Sequence, residues 1–203
     1  MFNLANTKMF VTNHFINKSL SFLTCFRGTY SCDNIPILKD RSRKIFVVNL
    51  DKHTGKGTHF VFLEINKDKC YFFDPLGCKL SNTYIKKYLK LIKTNKIVTI
   101  KQQIQSDFSN ACGLFVISIS TARCVNMKWC TILKFFCKHN LHKNEHENIV
   151  KLLIFISKKK LSYHQNRFVK ILVTDFKMLI YMLRKKLQQN NRKDYIVSVT
   201  TFI

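Results

Sequence analysis

Apolar residues along the chain come in short runs broken by polar turns. Lys44–Leu50 (KIFVVNL), His59–Ile65 (HFVFLEI) and Lys69–Asp74 (KCYFFD) are dense in β-branched and aromatic residues and read as strands. The second and third are joined by Asn66–Lys67–Asp68, a hairpin turn. With the turn centred between Lys67 and Asp68, opposed residue numbers sum to 135, so Asp74 faces Val61 and His59 faces Leu76. His59 and Asp74 then share one face, diagonally across the ladder at roughly 7–8 Å between backbones. A slip of one residue would put them on opposite faces.

Ser81–Thr94 (SNTYIKKYLKLIKT) carries the clearest helical period. Ile85, Tyr88, Leu89 and Ile92 form the apolar stripe, Lys86, Lys90 and Lys93 lie off it, and Ser81 is a plausible cap. Ile97–Ile100 is a further short strand, followed by a polar loop over 101–110. The run ACGLFVISISTARC that comes next is ambiguous: its β-branched alternation favours a strand, its length and apolarity a buried helix. Residues 1–24, with Phe10, Phe15, Leu20, Phe22 and Leu23 loosely spaced, predict one or two short helices. Near the other end, Phe176, Leu179, Ile180, Leu183 and Leu187 predict an amphipathic helix in a segment, 151–203, that holds 12 Lys or Arg and two acids.

A chain of 203 residues that is 46% hydrophobic, with 5 Gly and 2 Pro, can bury its own core and is neither disordered nor linker-rich. No stretch of about 18 uncharged apolar residues occurs, and Lys8, Asn13, His14 and Lys18 interrupt the start before a secretory signal could form. The expectation is a soluble, intracellular protein. Its formal net charge of +24 attracts polyanions. The surplus is mostly lysine, a point charge without the planar fork that reads base edges, and so suits sequence-independent phosphate contact. The eight cysteines, at 25, 32, 70, 78, 112, 124, 130 and 137, are expected to be reduced thiols, mostly buried. Cys130, Cys137, His139, His142 and His146 match no standard zinc spacing, so no metal site is expected.

A cysteine nucleophile needs a base, a group that orients the base, and donors for an oxyanion. His59 opens one strand, Asp74 closes the next, and Cys112 follows a polar loop containing Gln105. Ser109 and Asn110 are good capping residues. On the helical reading Cys112 lies in the first turn, where unpaired amides and the helix dipole favour thiolate. Its own amide could face an oxyanion, and the Gln105 side chain could supply the second donor. His53, Gln102 and Gln103 are nearby rivals.

The segments FRGTY (26–30), VVNL (47–50), GTHFVFLEI (57–65), CYFFDPLG (70–77) and QSDFSNACGLF (105–115) together resemble the adenovirus endopeptidase (adenain) family, over residues 23 to 155 in the same order. The resemblance implies an α+β, papain-like cysteine protease fold: a mixed central sheet flanked by helices, with the nucleophile at the N-terminus of a buried helix. It decides the ambiguous run in favour of helix. It implies His59 as base, Asp74 as its orienting acid, Cys112 as nucleophile, and Gln105 with the Cys112 amide as oxyanion hole. It implies one protease domain over 1–203, with a core over about 23–155 and a basic helical extension over 156–203.

The function implied is a viral endopeptidase that cleaves Gly-containing sites in virion precursor proteins, located in the virion and the infected cell, including the nucleus. DNA is the family's cofactor, with Lys86, Lys90 and Lys93 as basic candidates for contacting it. The family's disulfide-linked peptide activator uses a cysteine near the position of Ile97, whereas no Cys lies between Cys78 and Cys112 here, so a peptide activator would not be held that way. Phe60 stands where the family usually has Trp. The alternatives are a protease for SUMO and other ubiquitin-like proteins from the same clan, and a non-catalytic basic DNA-binding virion protein. The former typically has Asp before the nucleophile and five residues after Gln; here Ala111 precedes Cys112, and six residues separate it from Gln105.

Overall fold

In a computed structural model the described residues run from 11 to 181, apart from 41, 108, 137–140, 160, 163–164 and 179–180, with backbone alone for 141–145. The expected helical stripe positions Leu179, Ile180, Leu183 and Leu187 lie outside them, as do Phe10, Cys137 and His139.

Five strands build the sheet: β1 (Phe26–Ser31), β2 (Lys44–Asn49), β3 (Phe60–Asn66), β4 (Lys69–Phe73) and β5 (Lys96–Ile100). Their spatial order follows the chain, β1-β2-β3-β4-β5. The outer pairs β1–β2 and β4–β5 are parallel and the inner pairs antiparallel. Strand β1 carries the FRGTY segment, which the sequence reading did not assign to a strand. A register shift between Phe26 and Thr29 interrupts the alternation there, and Gly28, at φ +121°, takes up the irregularity. The β3–β4 hairpin has Phe62 opposite Phe73 and Ile65 opposite Cys70, the register predicted from its turn.

Two hydrophobic clusters cover the two faces of the sheet. On one lies α2 (Thr83–Leu91), which seats Ile85, Tyr88 and Leu89 against Phe46, Leu63 and Phe72. Its cap is Asn82, whose Oδ1 accepts from the Ile85 amide at 3.1 Å, and not Ser81 as expected. The other face receives α3 (Cys112–Cys124), packed in turn by α1 (Asn13–Leu20), α4 (Trp129–Leu133), α5 (Leu141–Ser157) and a helical segment over 165–178.

Every residue of α3 from Cys112 to Ala122 is buried. A segment enclosed on all sides must satisfy its own backbone polar groups, and a helix does this internally whereas a strand needs neighbours. That requirement overrides the local β propensity. Two hydroxyls inside the helix bond back to the preceding turn, Ser118 to the Phe115 carbonyl and Thr121 to the Ile117 carbonyl, each at 2.8 Å.

The far end of α3 is tied to the sheet twice. Glu64 on β3, 1% exposed, accepts from Arg43 Nε at 2.7 Å and from Arg123 Nε and Nη2 at 2.6 and 2.9 Å. The Arg123 guanidinium also lies over the rings of Tyr71 and Trp129, 5.5 and 5.3 Å from their centroids. Beside this network Cys124 is disulfide-bonded to Cys25, with a Cα–Cα distance of 6.2 Å. This corrects the expectation of reduced thiols throughout. The partners are 99 residues apart in sequence and meet only because α3 ends against the chain entering β1, so no local spacing announces them. Among the described residues the other cysteines are free; Cys32, Cys70 and Cys112 are buried, and Cys78 and Cys130 are exposed.

Candidate active site

One end of the sheet opens into a cleft of about 910 Å³ whose lining includes His59, Phe60, Leu76, Gln105, Asp107, Ser109, Asn110 and Cys112. A loop over 52–58 forms another wall, and the start of α1 (Val11, Thr12 and Asn13) a third.

His59 sits one residue before β3, and Asp74 one residue after β4. The diagonal placement predicted from the hairpin brings His59 Nε2 to 2.7 Å from Asp74 Oδ1, with the two side chains 15% and 4% exposed. The same carboxylate oxygen accepts the Leu76 amide at 2.8 Å, which fixes its orientation. Burial alone pulls the His59 pKa down; hydrogen bonds to Asp74 and Cys112, with the charges of both, outweigh it and raise the value from 6.5 to about 9. With Nε2 taken by Asp74, the nitrogen left for Cys112 is Nδ1. An imidazole held between a carboxylate and a thiol in this way can keep a proton while the thiol gives one up.

Cys112 is the first residue of α3. The expected capping by Ser109 or Asn110 does not occur: the N-cap is Ala111, with no side-chain cap, and Ser109 Oγ accepts the Ala111 amide at 3.2 Å. The dipole end of the helix is therefore left open toward the cleft. Gly113 follows because Val11 crosses here: a Cβ on Gly113 would lie 2.4 Å from Val11 Cγ1.

Gln105 is buried at the cleft floor. Its Nε2 donates to the Ser109 carbonyl at 2.6 Å, and its Oε1 is buried without a partner among the described residues. Because that amide has a second N–H, the bond to Ser109 fixes its plane and leaves one donor.

The rivals lie elsewhere. His53 is on the rim, its side chain 65% exposed, and pairs with Asp33 at 2.8 Å. Gln102 turns away to the carbonyls of Leu133 and Phe136. Gln103, itself outside the cleft lining, donates to the Gln105 carbonyl and to Asp107 Oδ1 at 3.0 and 2.8 Å. Lys86, Lys90 and Lys93 are solvent-exposed on α2 and its C-terminal end, across the sheet from α3 and not part of the cleft lining.

Two features were missed by sequence reasoning: the wall contributed by Val11–Asn13, which carries no motif, and the support given to the Gln105 strap by the turn after Asp74. The second had a signal, the Gly of DPLG. No group of three or more His, Cys, Asp or Glu side chains able to hold a metal occurs among the described residues. No helix among them is long and apolar enough to cross a membrane.

Among the solved structures similar to this chain are two of the ASFV pS273R protease. One, the selenomethionine form, is 17% identical with a TM-score of 0.36, covering 63% of this chain and 43% of that one. The other is 14% identical with a TM-score of 0.46, covering 69% and 67%. The chain thus spans less than half the length of the first of these. No curated protein gives a significant match. The family model described as adenovirus endoprotease matches residues 26–200, extending past residue 155, where the resemblance in sequence ended. With this match covering most of its length, the chain belongs to the adenovirus endoprotease family of cysteine peptidases.

Proposed function

We propose that the protein is a viral cysteine endopeptidase that cleaves precursor polypeptides of the virion at Gly-containing sites. The observation that carries this reading is the buried His59–Asp74 contact of 2.7 Å, with Cys112 as the second partner of the imidazole at the open end of α3. His59 takes the Cys112 proton and later delivers it to the leaving amine. Asp74 holds the imidazole in orientation and stabilises its charged form. The thiolate attacks the scissile carbonyl, and the oxyanion that forms is met by the Cys112 amide and the free N–H of Gln105. Water then resolves the acyl-enzyme with His59 acting as base again.

The +24 charge supports DNA as an activating polyanion, held without sequence preference. Lys86, Lys90 and Lys93 form one exposed basic group for it, far enough from the cleft to leave peptide access free. A peptide activator would dock without a disulfide at the edge strand β5, where Ile97 is exposed. The virion and the infected cell, including its nucleus, are where such an enzyme would act.

The test is cleavage of a Leu-x-Gly-Gly reporter peptide, with and without double-stranded DNA, by wild type and by Cys112→Ala. Turnover by wild type that Cys112→Ala abolishes supports the reading, as does a fall on the order of 10²–10³ in rate for Gln105→Ala. Cleavage that survives Cys112→Ala refutes it. Cleavage of a folded ubiquitin-like modifier with no turnover of the peptide would favour the modifier proteases of the same clan. DNA activation that does not weaken with salt would remove the basic surface from the mechanism.

A further inference from the structure

The chain turns sharply after the candidate acid, at Asp74–Pro75–Leu76–Gly77, closed by a 2.8 Å bond from the Gly77 amide to the Asp74 carbonyl. On one side this turn holds the acid itself, through the Leu76 amide on Asp74 Oδ1. On the other it holds the strap that carries Gln105. The Pro75 carbonyl accepts both the Ile104 and the Gln105 amides, at 2.9 and 3.0 Å, using both of its lone pairs on consecutive residues.

Gly77 closes the contact. It sits at φ +73°, and a Cβ there would lie 2.9 Å from the Gln103 amide nitrogen, 3.0 Å from the Lys101 carbonyl oxygen and 3.1 Å from Gln103 Cα. All three obstacles are backbone atoms of the strap, so no side-chain rotation could relieve them. From the other side Gln103 Nε2 braces the strap by donating to the Gln105 carbonyl at 3.0 Å and to Asp107 Oδ1 at 2.8 Å. Gln105 is therefore held between a backbone turn and a side-chain clamp, and its buried amide is set before any substrate arrives.

We propose that Gly77 and Gln103 are positioning residues that fix the Gln105 amide relative to Cys112, so that the turn orienting the base also sets the oxyanion donor. The inference rests on the protease reading above. An added methyl at Gly77 forces the turn and the strap apart by several tenths of an ångström. Preorganised donors tolerate displacements of only about 0.5 Å before their value falls. At Gly77 such a shift also reaches Asp74 through the Leu76 amide, whereas loss of the Gln103 clamp frees the strap alone and leaves the Cys112–His59 pair, which belongs to α3 and the hairpin.

The experiment separates these two halves of the site. Gly77→Ala and Gln103→Ala are compared with wild type in three measurements: kcat and KM on the reporter peptide, the rate of inactivation by iodoacetamide, and inhibition by a peptide aldehyde. Alkylation needs a reactive thiolate but no oxyanion donor, whereas the hemithioacetal oxygen of the aldehyde adduct occupies the donor site. The expected result is a fall in kcat of roughly 10–100-fold and a matching loss of aldehyde affinity. KM, and for Gln103→Ala the alkylation rate, should stay within about twofold.

An unchanged kcat overturns the proposal, and so does a parallel loss of alkylation in Gln103→Ala, which would mean that the strap supports the whole site. Should Gly77→Ala fail to fold, Gln103→Ala and Gln103→Glu carry the same three measurements; the glutamate repels Asp107 and should be the worse of the two. A wild-type protein whose Cys112 alkylates no faster than that of His59→Ala would refute the protease reading itself, and this inference with it.

Discussion

Replacing Asp74 by Asn keeps the shape of the acid and removes its charge. Burial alone would lower the His59 pKa, yet hydrogen bonds and charge from Asp74 first and Cys112 second carry it from 6.5 to about 9. That rise corresponds to on the order of 3 kcal/mol of preference for the imidazolium. Asp74 supplies the larger share, so its loss should lower the pKa by at least about one pH unit. Because the folded value lies above the unfolded one, the stability gained is complete below pH 6.5 and disappears as pH rises through about 9.

Two assays follow. The alkaline limb of kcat/KM, near pH 9 in wild type, should move down in Asp74→Asn. The stability deficit of the variant in urea should be largest below pH 6.5 and narrow as pH rises through about 9. An unmoved alkaline limb together with a pH-independent deficit would refute the reasoning, since another group would then hold the imidazolium.

Other variants test the frame. Glu64→Gln leaves Arg43 and Arg123 facing each other around a neutral amide, and should cost roughly 2–4 kcal/mol in urea unfolding; a change below about 0.5 kcal/mol would mean the arginines find water instead. Gly113→Ala should destabilise by about 1–2 kcal/mol despite the better helix propensity of Ala, because its methyl enters Val11. Val11→Gly in the same chain should recover part of that loss, and additive effects would disprove the contact. Reducing the Cys25–Cys124 bond opens a loop of about 100 residues and should cost on the order of 4 kcal/mol. Thermal unfolding with and without dithiothreitol reads it, and Cys25→Ser should make the two curves coincide; a wild-type midpoint indifferent to reductant would contradict the prediction.

The hairpin register was legible because a two-residue side-chain period and a turn centred between Lys67 and Asp68 leave few alternatives, and the side chains of His59 and Asp74 meet where that register puts them. Helix α2 was legible from its stripe, although the cap fell one residue later than Ser81. Helix α3 was not legible from propensity, because its sequence satisfies a strand equally well and only burial on all sides decides for helix. Ser109 and Asn110 look like caps, but Ala111 makes the turn into α3 with no side-chain cap, and Ser109 bonds within the loop instead. The Cys25–Cys124 bond and the Val11 wall depend on elements far apart in sequence, and no local pattern encodes them. Strand β1 was hidden by Gly28, whose irregular backbone breaks the alternation that marks a strand.

The sheet order repeats the order of synthesis, and this gives the site a timetable. As the chain emerges, β3 and β4 can pair as soon as their turn is made, which brings His59 and Asp74 together across only 15 residues. Cys112 must wait until α3 is enclosed by α1 and by helices made later, and Cys25 waits for a partner 99 residues downstream. The acid–base half of the site thus rests on local contacts, and the seat of the thiol on contacts across the whole core. The imidazole and its carboxylate therefore need only neighbouring strands, whereas the peptide-cutting arrangement is complete only when the whole core has closed around α3.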